Sequence, residues 1–310
     1  MINLKEYDEY IKNERNSKFD TPYQVVYDTF IQMEFANKDS EYFEENASSI
    51  VERLRNQCWE NFLKIEKSFT SEMLNLLCST DEKIKRMNGA EAVEYFVETY
   101  PEHIYKLTLS NTQSRRARAG KEFEAIIEMI LIGANIQIDS QGSIGKKMFT
   151  DKNLGKLVDL VSPGVTEYFL DKNNTILISA KTSLRERWQE VPEEISRTGA
   201  SQMYLATLDK NISLGDLNKM YEANVILVTT AKIKENSYKT VPNVITFERL
   251  ISLCKDKEKY WSNHTYSESD KNKKIEHIQK QMQKYSNFDF IEDYYYKRLS
   301  FYDSQDSNHL

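Results

Sequence analysis

Turn-forming residues are scarce in this chain, with nine glycines and five prolines in 310 residues, well under the roughly 12% that the two supply on average. A sandwich or propeller of short strands needs a turn every ~8–12 residues. The shortage therefore excludes those folds and leaves long helices with a limited sheet. The length allows two domains at roughly 150 residues each, and 40% apolar residues with 12% aromatics are enough to build a core. No apolar run reaches the ~18 residues of a membrane span, and the opening MINLKEYDEYIKNER lacks a basic-then-apolar signal layout. Cys58, Cys78 and Cys254 are odd in number and far apart, the usage of reduced thiols in a cytoplasm. Four scattered histidines and three cysteines never reach zinc-ligand spacing. A net charge of −6 gives nucleic acid no bulk attraction, so a nucleic-acid role would rest on a local basic surface.

Residues 1–110 read as helical. Thr21-Pro22 is a cap followed by proline at the first helical position, and Tyr23, Val26, Tyr27, Phe30 and Met33 keep the helical period. Ile50, Leu54, Cys58, Phe62 and Ile65 form a second stripe. Asn88-Gly89 reads as a turn, and Pro101 as the stop of a third helix. These stripes are expected to be core. The character changes near 110. Ser114-Arg115-Arg116-Ala117-Arg118-Ala119-Gly120-Lys121 is basic, and a helix follows with Phe123, Ile126, Ile127, Ile130 and Leu131 on one face and Gly133 as its C′ residue.

Strands are expected at 136–139, 156–161, 168–170, 175–180, 203–208 and 225–229, with helices after Ser183 (Ser183-Leu184-Arg185-Glu186 has capping-box form) and over 214–220. Alternating strands and helices indicate an α/β core with a mixed sheet flanked by helices, beside the N-terminal helical region. The expected division is a helical domain at 1–110, a core at 111–254, and a linker with one C-terminal helix at 255–310, where 255–274 reads as linker or surface loop.

The chemistry concentrates in two segments. Lys156-Leu157-Val158-Asp159 lies on one strand, and Ile178-Ser179-Ala180-Lys181 ends the next. An Asp and a Lys at the ends of paired strands can converge on one point, which Mg²⁺-dependent phosphodiester hydrolysis requires. A second acid would ordinarily precede the lysine by two residues, and Ser179, a poor ligand, stands there. Glu194 follows Lys181 with twelve residues between. On the helix after residue 120, Glu124 sits at the flank of the apolar stripe and Glu128 is expected further round, towards solvent. Glu124 is therefore ranked first as an upstream acid.

The run Lys181-x12-Glu194, with the basic-acidic-basic tripeptide Arg185-Glu186-Arg187, resembles the branch of the PD-(D/E)xK type II restriction endonucleases that cut CCGG, or CC and GG around a central base (the EcoRII-, NgoMIV- and BsaWI-like enzymes). Arg118-Ala119-Gly120-Lys121-x-Phe123-Glu124 is similar to the helix preceding that core. The resemblance covers about 115–250. It implies a Mg²⁺-dependent, cytoplasmic, site-specific endodeoxyribonuclease acting as a homodimer on double-stranded palindromic DNA. Asp159 and Glu194 would hold the metal, and Lys181 and Glu124 would complete the catalytic set. Arg185, Glu186 and Arg187 would read bases, since arginine donates twice to guanine and glutamate accepts from cytosine; CCGG is the preferred centre and CC-N-GG the runner-up. Arg115, Arg116, Arg118 and Lys121 are candidates for phosphate contact, and Pro192 should kink the helix that carries Glu194. A structure-selective repair nuclease and a non-catalytic DNA-binding scaffold are the competing functions.

Overall fold

The structure is a computed structural model, which describes residues 1–141, 154, 158–184 and 199–306. The chain opens with helices α1 (Leu4–Lys18), α2 (Pro22–Gln32), α3 (Ser40–Ser79), α4 (Gly89–Thr99) and α5 (Pro101–Gly133). Strands and helices then alternate: β1 (Asp139–Ser140), β2 (Leu160–Ser162), α6 (Val165–Leu170), β3 (Ile176–Ala180), β4 (Met203–Ala206), α7 (Leu214–Glu222), β5 (Val225–Thr229), α8 (Ala231–Ser237) and β6 (Val244–Thr246). Helices α9 (Phe247–Trp261), α10 (Glu268–Lys284) and α11 (Asp289–Asp306) close it. The six strands form one mixed sheet in chain order, antiparallel from β1 to β3 and parallel from β3 to β6.

The chain divides into two compact units, one of Met1–Thr29 with Arg55–Glu122, the other of Phe30–Leu54 with Phe123–Leu310. The division does not fall at 110: α5 is continuous there and belongs to the first unit as far as Glu122, and both α3 and α5 cross from one unit to the other without a break, at 54/55 and 122/123. The first unit packs around Tyr7, Ile11, Phe69, Met73, Leu77, Tyr100 and Leu107. In the second, Val161, Leu177, Leu205, Leu227 and Val244 from successive strands share a core with Leu217, Met220 and Tyr238.

Several local expectations are revised. Asn88 is the cap of α4, its side chain accepting from Ala90 and Glu91, and Pro101 opens the next helix as well as ending this one. The left-handed residue closing α5 is Asn135 (φ 57°), whose N–H donates to Ile132 while Ile136 donates to Leu131, a Schellman closure. Gly133 lies within the helix, where a Cβ would overlap the Phe43 ring.

Residues 168–170 are helical. The Asp139 carboxylate accepts from the Val165 N–H at 2.8 Å and fixes the start of α6 from outside the segment. Residues 136–138 pair with side chains instead of a strand: Tyr294 binds the Ile136 carbonyl and the Ile138 N–H, and Arg298 donates to the Ile138 carbonyl at 2.7 Å. The segment 255–274 is no linker, since α9 runs to Trp261 and α10 starts at Glu268, capped by Ser267. The one helix expected after the linker is α10, which begins at Glu268 inside the stretch read as linker; Lys274, His277 and Gln281 are buried beside Ile278, so its first turns carry no apolar pattern.

Candidate active site

The antiparallel register pairs Leu160 with Ile178 and so sets Asp159 across from Ser179. Side chains alternate across a sheet, which puts Asp159, Ser179 and Lys181 on one face. All three lie where β2 begins and β3 ends. The parallel strands β3, β4 and β5 present their carboxyl ends to the same edge, the edge at which open α/β sheets carry their ligands.

Asp159 is fixed by backbone and side chain together. Its N–H donates to the Ile178 carbonyl at 2.9 Å, and its Oδ2 accepts from the Ala180 N–H at 2.8 Å. Lys181 Nζ lies 3.5 Å from the same Oδ2, its side chain 21% exposed and that of Asp159 9% exposed. The Lys181 N–H donates to the Ala206 carbonyl at 2.9 Å, carrying the β3–β4 ladder one residue further. Anionic oxygen and ammonium thus meet at a partly covered sheet edge, where an electrostatic contact is stronger than in open water. Ser179 is fully buried, and its hydroxyl has no hydrogen-bond partner among the described residues.

Glu194, Arg185, Glu186, Arg187, Trp188 and Pro192 lie outside the described residues. The approach to them is described: Leu184 is buried, and its N–H donates to Asp209 Oδ2 at 3.1 Å. Asp209 was not anticipated. The signal for it was available, an acid three residues past the end of β4 at the edge that carries Lys181.

The helix carrying the upstream acids has no solvent face here. Ala125, Ile126, Ile127, Met129, Ile130, Leu131 and Ile132 are all buried, and so is Glu128 at 5% exposure. Burial above all, and then the charge of Glu128, raises the pKa of Tyr295, so Glu128 faces towards α11 rather than solvent. Glu124 is half-buried.

The basic segment separates into two kinds of residue. Arg118 is buried: it donates to the Asp20 carbonyl at 2.5 Å, pairs with Glu122 at 3.4 Å and stands over the Phe62 ring at 5.3 Å. It is a core arginine and is withdrawn as a phosphate contact. The reason is Glu122, fully buried between Arg118 and Arg55; burial raises its pKa and the two arginines oppose that rise. Arg115 holds Glu66 through a two-pronged contact with its Nε at 2.8 and 3.0 Å, so its charge is largely answered. Arg116 and Lys121 are exposed.

A second polar cluster, which no sequence pattern announced, gathers on Asp139 of β1 and Glu167 of α6. Asp139 receives Gln281 Nε2 at 3.0 Å as well as the Val165 N–H. Burial works against its charge, but His277, Arg298 and the Val165 amide win and hold the carboxyl down to about 2. Glu167 is buried with Lys274 and Tyr266 on its carboxylate.

Comparisons with known proteins identify the family of the chain and proteins that share its fold. The family profile described as "EcoRII C terminal" matches residues 83–251. The type II restriction enzyme SsoII of Shigella sonnei is 49% identical over 290 residues, covering 94% of this chain and 95% of that one. The type II restriction enzyme EcoRII of Escherichia coli is 25% identical over 147 residues, 46% of this chain and 33% of that protein. A structure of metal-depleted Ecl18kI in complex with uncleaved, modified DNA superposes with TM-score 0.92 at 47% identity, covering 97% of this chain and all of the other. A PspGI–substrate DNA complex, at 17% identity and TM-score 0.55, shares the fold. The chain belongs to the EcoRII C-terminal family of type II restriction endonucleases, enzymes that cut DNA at specific sites.

Proposed function

We propose that this enzyme is a Mg²⁺-dependent homodimer that cuts both strands of palindromic DNA in which CC and GG flank a central base. The observation that carries the reading is the convergence of Asp159 and Lys181 at one sheet edge, 3.5 Å apart, thirteen residues before Glu194. Oxygen donors suit Mg²⁺, and the Asp159 carboxylate at a strand end is of that kind. Among the described residues no three His, Cys, Asp or Glu side chains converge, and the further carboxylate of the shell is assigned to Glu194, on the Lys181-x12-Glu194 spacing. When bound, the metal supplies Lewis acidity and a more acidic water.

The chain's own groups do the rest. The Ala180 amide holds the Asp159 carboxylate in place. Lys181, with its ammonium beside that carboxylate, stabilises charge building on the nucleophile and the phosphate oxygens. Glu124 is the proposed upstream acid. Arg185, Glu186 and Arg187 supply donors for guanine O6 and N7 and an acceptor for cytosine N4. Two subunits related by a two-fold axis present this tripeptide twice, which matches a palindrome. Arg116 and Lys121 contact phosphates without reading sequence, and residues 1–110 form a DNA clasp or dimer layer.

The similarity falls on the EcoRII side of the branch and weighs towards CC-N-GG over CCGG. Digestion of a plasmid with Mg²⁺, followed by run-off sequencing of the ends, tests this. Discrete fragments ending at CC-N-GG are expected. Fragments ending at CCGG would return the other arrangement, and a smear or junction-only cutting would mean a structure-selective nuclease.

A further inference from the structure

The stretch between the catalytic lysine and the first candidate base-reading arginine is short, and the structure anchors it at both ends. At one end the Lys181 N–H donates to the Ala206 carbonyl. At the other Leu184 sinks its side chain into the core, and its N–H donates to Asp209 Oδ2 at 3.1 Å. Leu184 is the residue directly before Arg185.

Asp209 is itself held on every side. Its N–H donates to Thr207 Oγ1 at 3.2 Å, and its Oδ1 accepts from the Asn211 N–H at 3.0 Å. Its carbonyl accepts from the Tyr238 hydroxyl at 2.9 Å, and that hydroxyl accepts from the Ile212 N–H at 3.1 Å. Tyr238 and Thr207 are buried. The carboxylate is thus a fixed point on the sheet edge, with one oxygen for its own loop and the other for the peptide leading into the arginine segment.

We propose that Asp209 is a positioning residue for base recognition, holding the Leu184 peptide so that Arg185, Glu186 and Arg187 start from a set place relative to Lys181. This rests on the assignment of those three residues as base readers. Bidentate arginine contacts depend on orientation more than on charge, so a loosened anchor costs discrimination before it costs general affinity. A residue serving only its own loop would lower the melting temperature and leave discrimination alone.

The test uses the full chain in competition binding without metal. A duplex carrying the site returned by the plasmid digest competes against a scrambled duplex at fixed salt, for Asp209→Ala, Asp209→Asn and Arg185→Ala. Asp209→Ala should lower the cognate-to-scrambled ratio at least tenfold while scrambled binding stays within threefold. In Mg²⁺ its defect should fall on KM rather than kcat. Asp209→Asn, which keeps an acceptor oxygen, should recover most of the ratio and shows that the fold survives substitution there. An unchanged ratio in Asp209→Ala, or equal loss of both duplexes, overturns the inference. If Arg185→Ala also keeps its ratio, the base-reading assignment fails and Asp209 falls with it. If Arg185→Ala loses the ratio and Asp209→Ala does not, only Asp209 falls.

Discussion

One oxygen of Asp159, Oδ2, both takes the Ala180 amide and lies 3.5 Å from the Lys181 ammonium. Asp159→Asn should therefore abolish cleavage and leave DNA binding intact or tighter, because a negative charge near the phosphate is gone. Lys181→Ala should lower turnover by orders of magnitude without changing the sequence bound. Single-turnover cleavage and gel-shift binding on the same duplex check both, and normal turnover of Lys181→Ala would end the assignment. Ser179 occupies the place of a missing acid, and its buried hydroxyl makes the opposite prediction. If it takes no part in holding a metal, Ser179→Ala should cut within about threefold of the wild type, since removing a buried hydroxyl that lacks a partner leaves nothing unsatisfied. A loss of activity beyond a hundredfold, with the fold intact, would make Ser179 a ligand.

Helix α5 shows how one run of residues can hold a buried and an exposed arginine about half a turn apart. Arg118 belongs to the buried group with Glu122 and Arg55, and Arg116 is exposed. Arg118→Ala should destabilise by about 3–5 kcal/mol, because Glu122 then keeps a buried charge with less compensation. Below its melting temperature, its DNA affinity should follow the wild type. Arg116→Ala should leave stability alone and reduce the slope of binding against salt by roughly one ion. Denaturant melts and a salt series separate the two residues. Sequence alone could not, because three arginines in four positions look alike until a buried acid selects one of them. The same limit explains the other revisions. Strands β3, β4 and β5 were legible because they are largely apolar runs, and Asp159 and Lys181 because each is a charged residue beside an apolar strand, Asp159 just before β2 and Lys181 just after β3. The C-terminal half of α10 was legible from Ile275, Ile278 and Met282; the helical 165–170, the side-chain pairing of 136–138, the first turns of α10, and α9 and α11 were not, because Asp139, Tyr294, Arg298, Lys274 and Gln281 act across long sequence distances as buried polar groups.

At the scale of the whole molecule, buried acids make stability depend on pH. Burial pushes the Glu258 carboxyl up from 4.5 to about 7, against the pull of the Gln137 amide and the charges of Arg298 and Lys255. The folded chain therefore binds more protons than the unfolded chain between those values. The resulting stabilisation is complete below 4.5 and is lost as the pH rises through about 7. Glu258→Gln keeps an acceptor for the Gln137 N–H and removes the titration. It should melt about 5 °C above the wild type at pH 8.5, a gain of about 3 kcal/mol, with the difference vanishing towards pH 4.5. A pH-independent difference in calorimetry would show that Glu258 does not titrate in this range. The continuity of α3 and α5 through the unit boundaries has a consequence for descent. Modules that meet at loops can be exchanged between genes by a single crossover on each side. Here the junctions fall within helical turns, so a chimaera joined at 54/55 or 122/123 would also have to match helical phase and the side chains above and below the splice. Exchange of one unit is thereby disfavoured against substitution along both helices, and a chimaera spliced out of helical phase should lose cooperative melting.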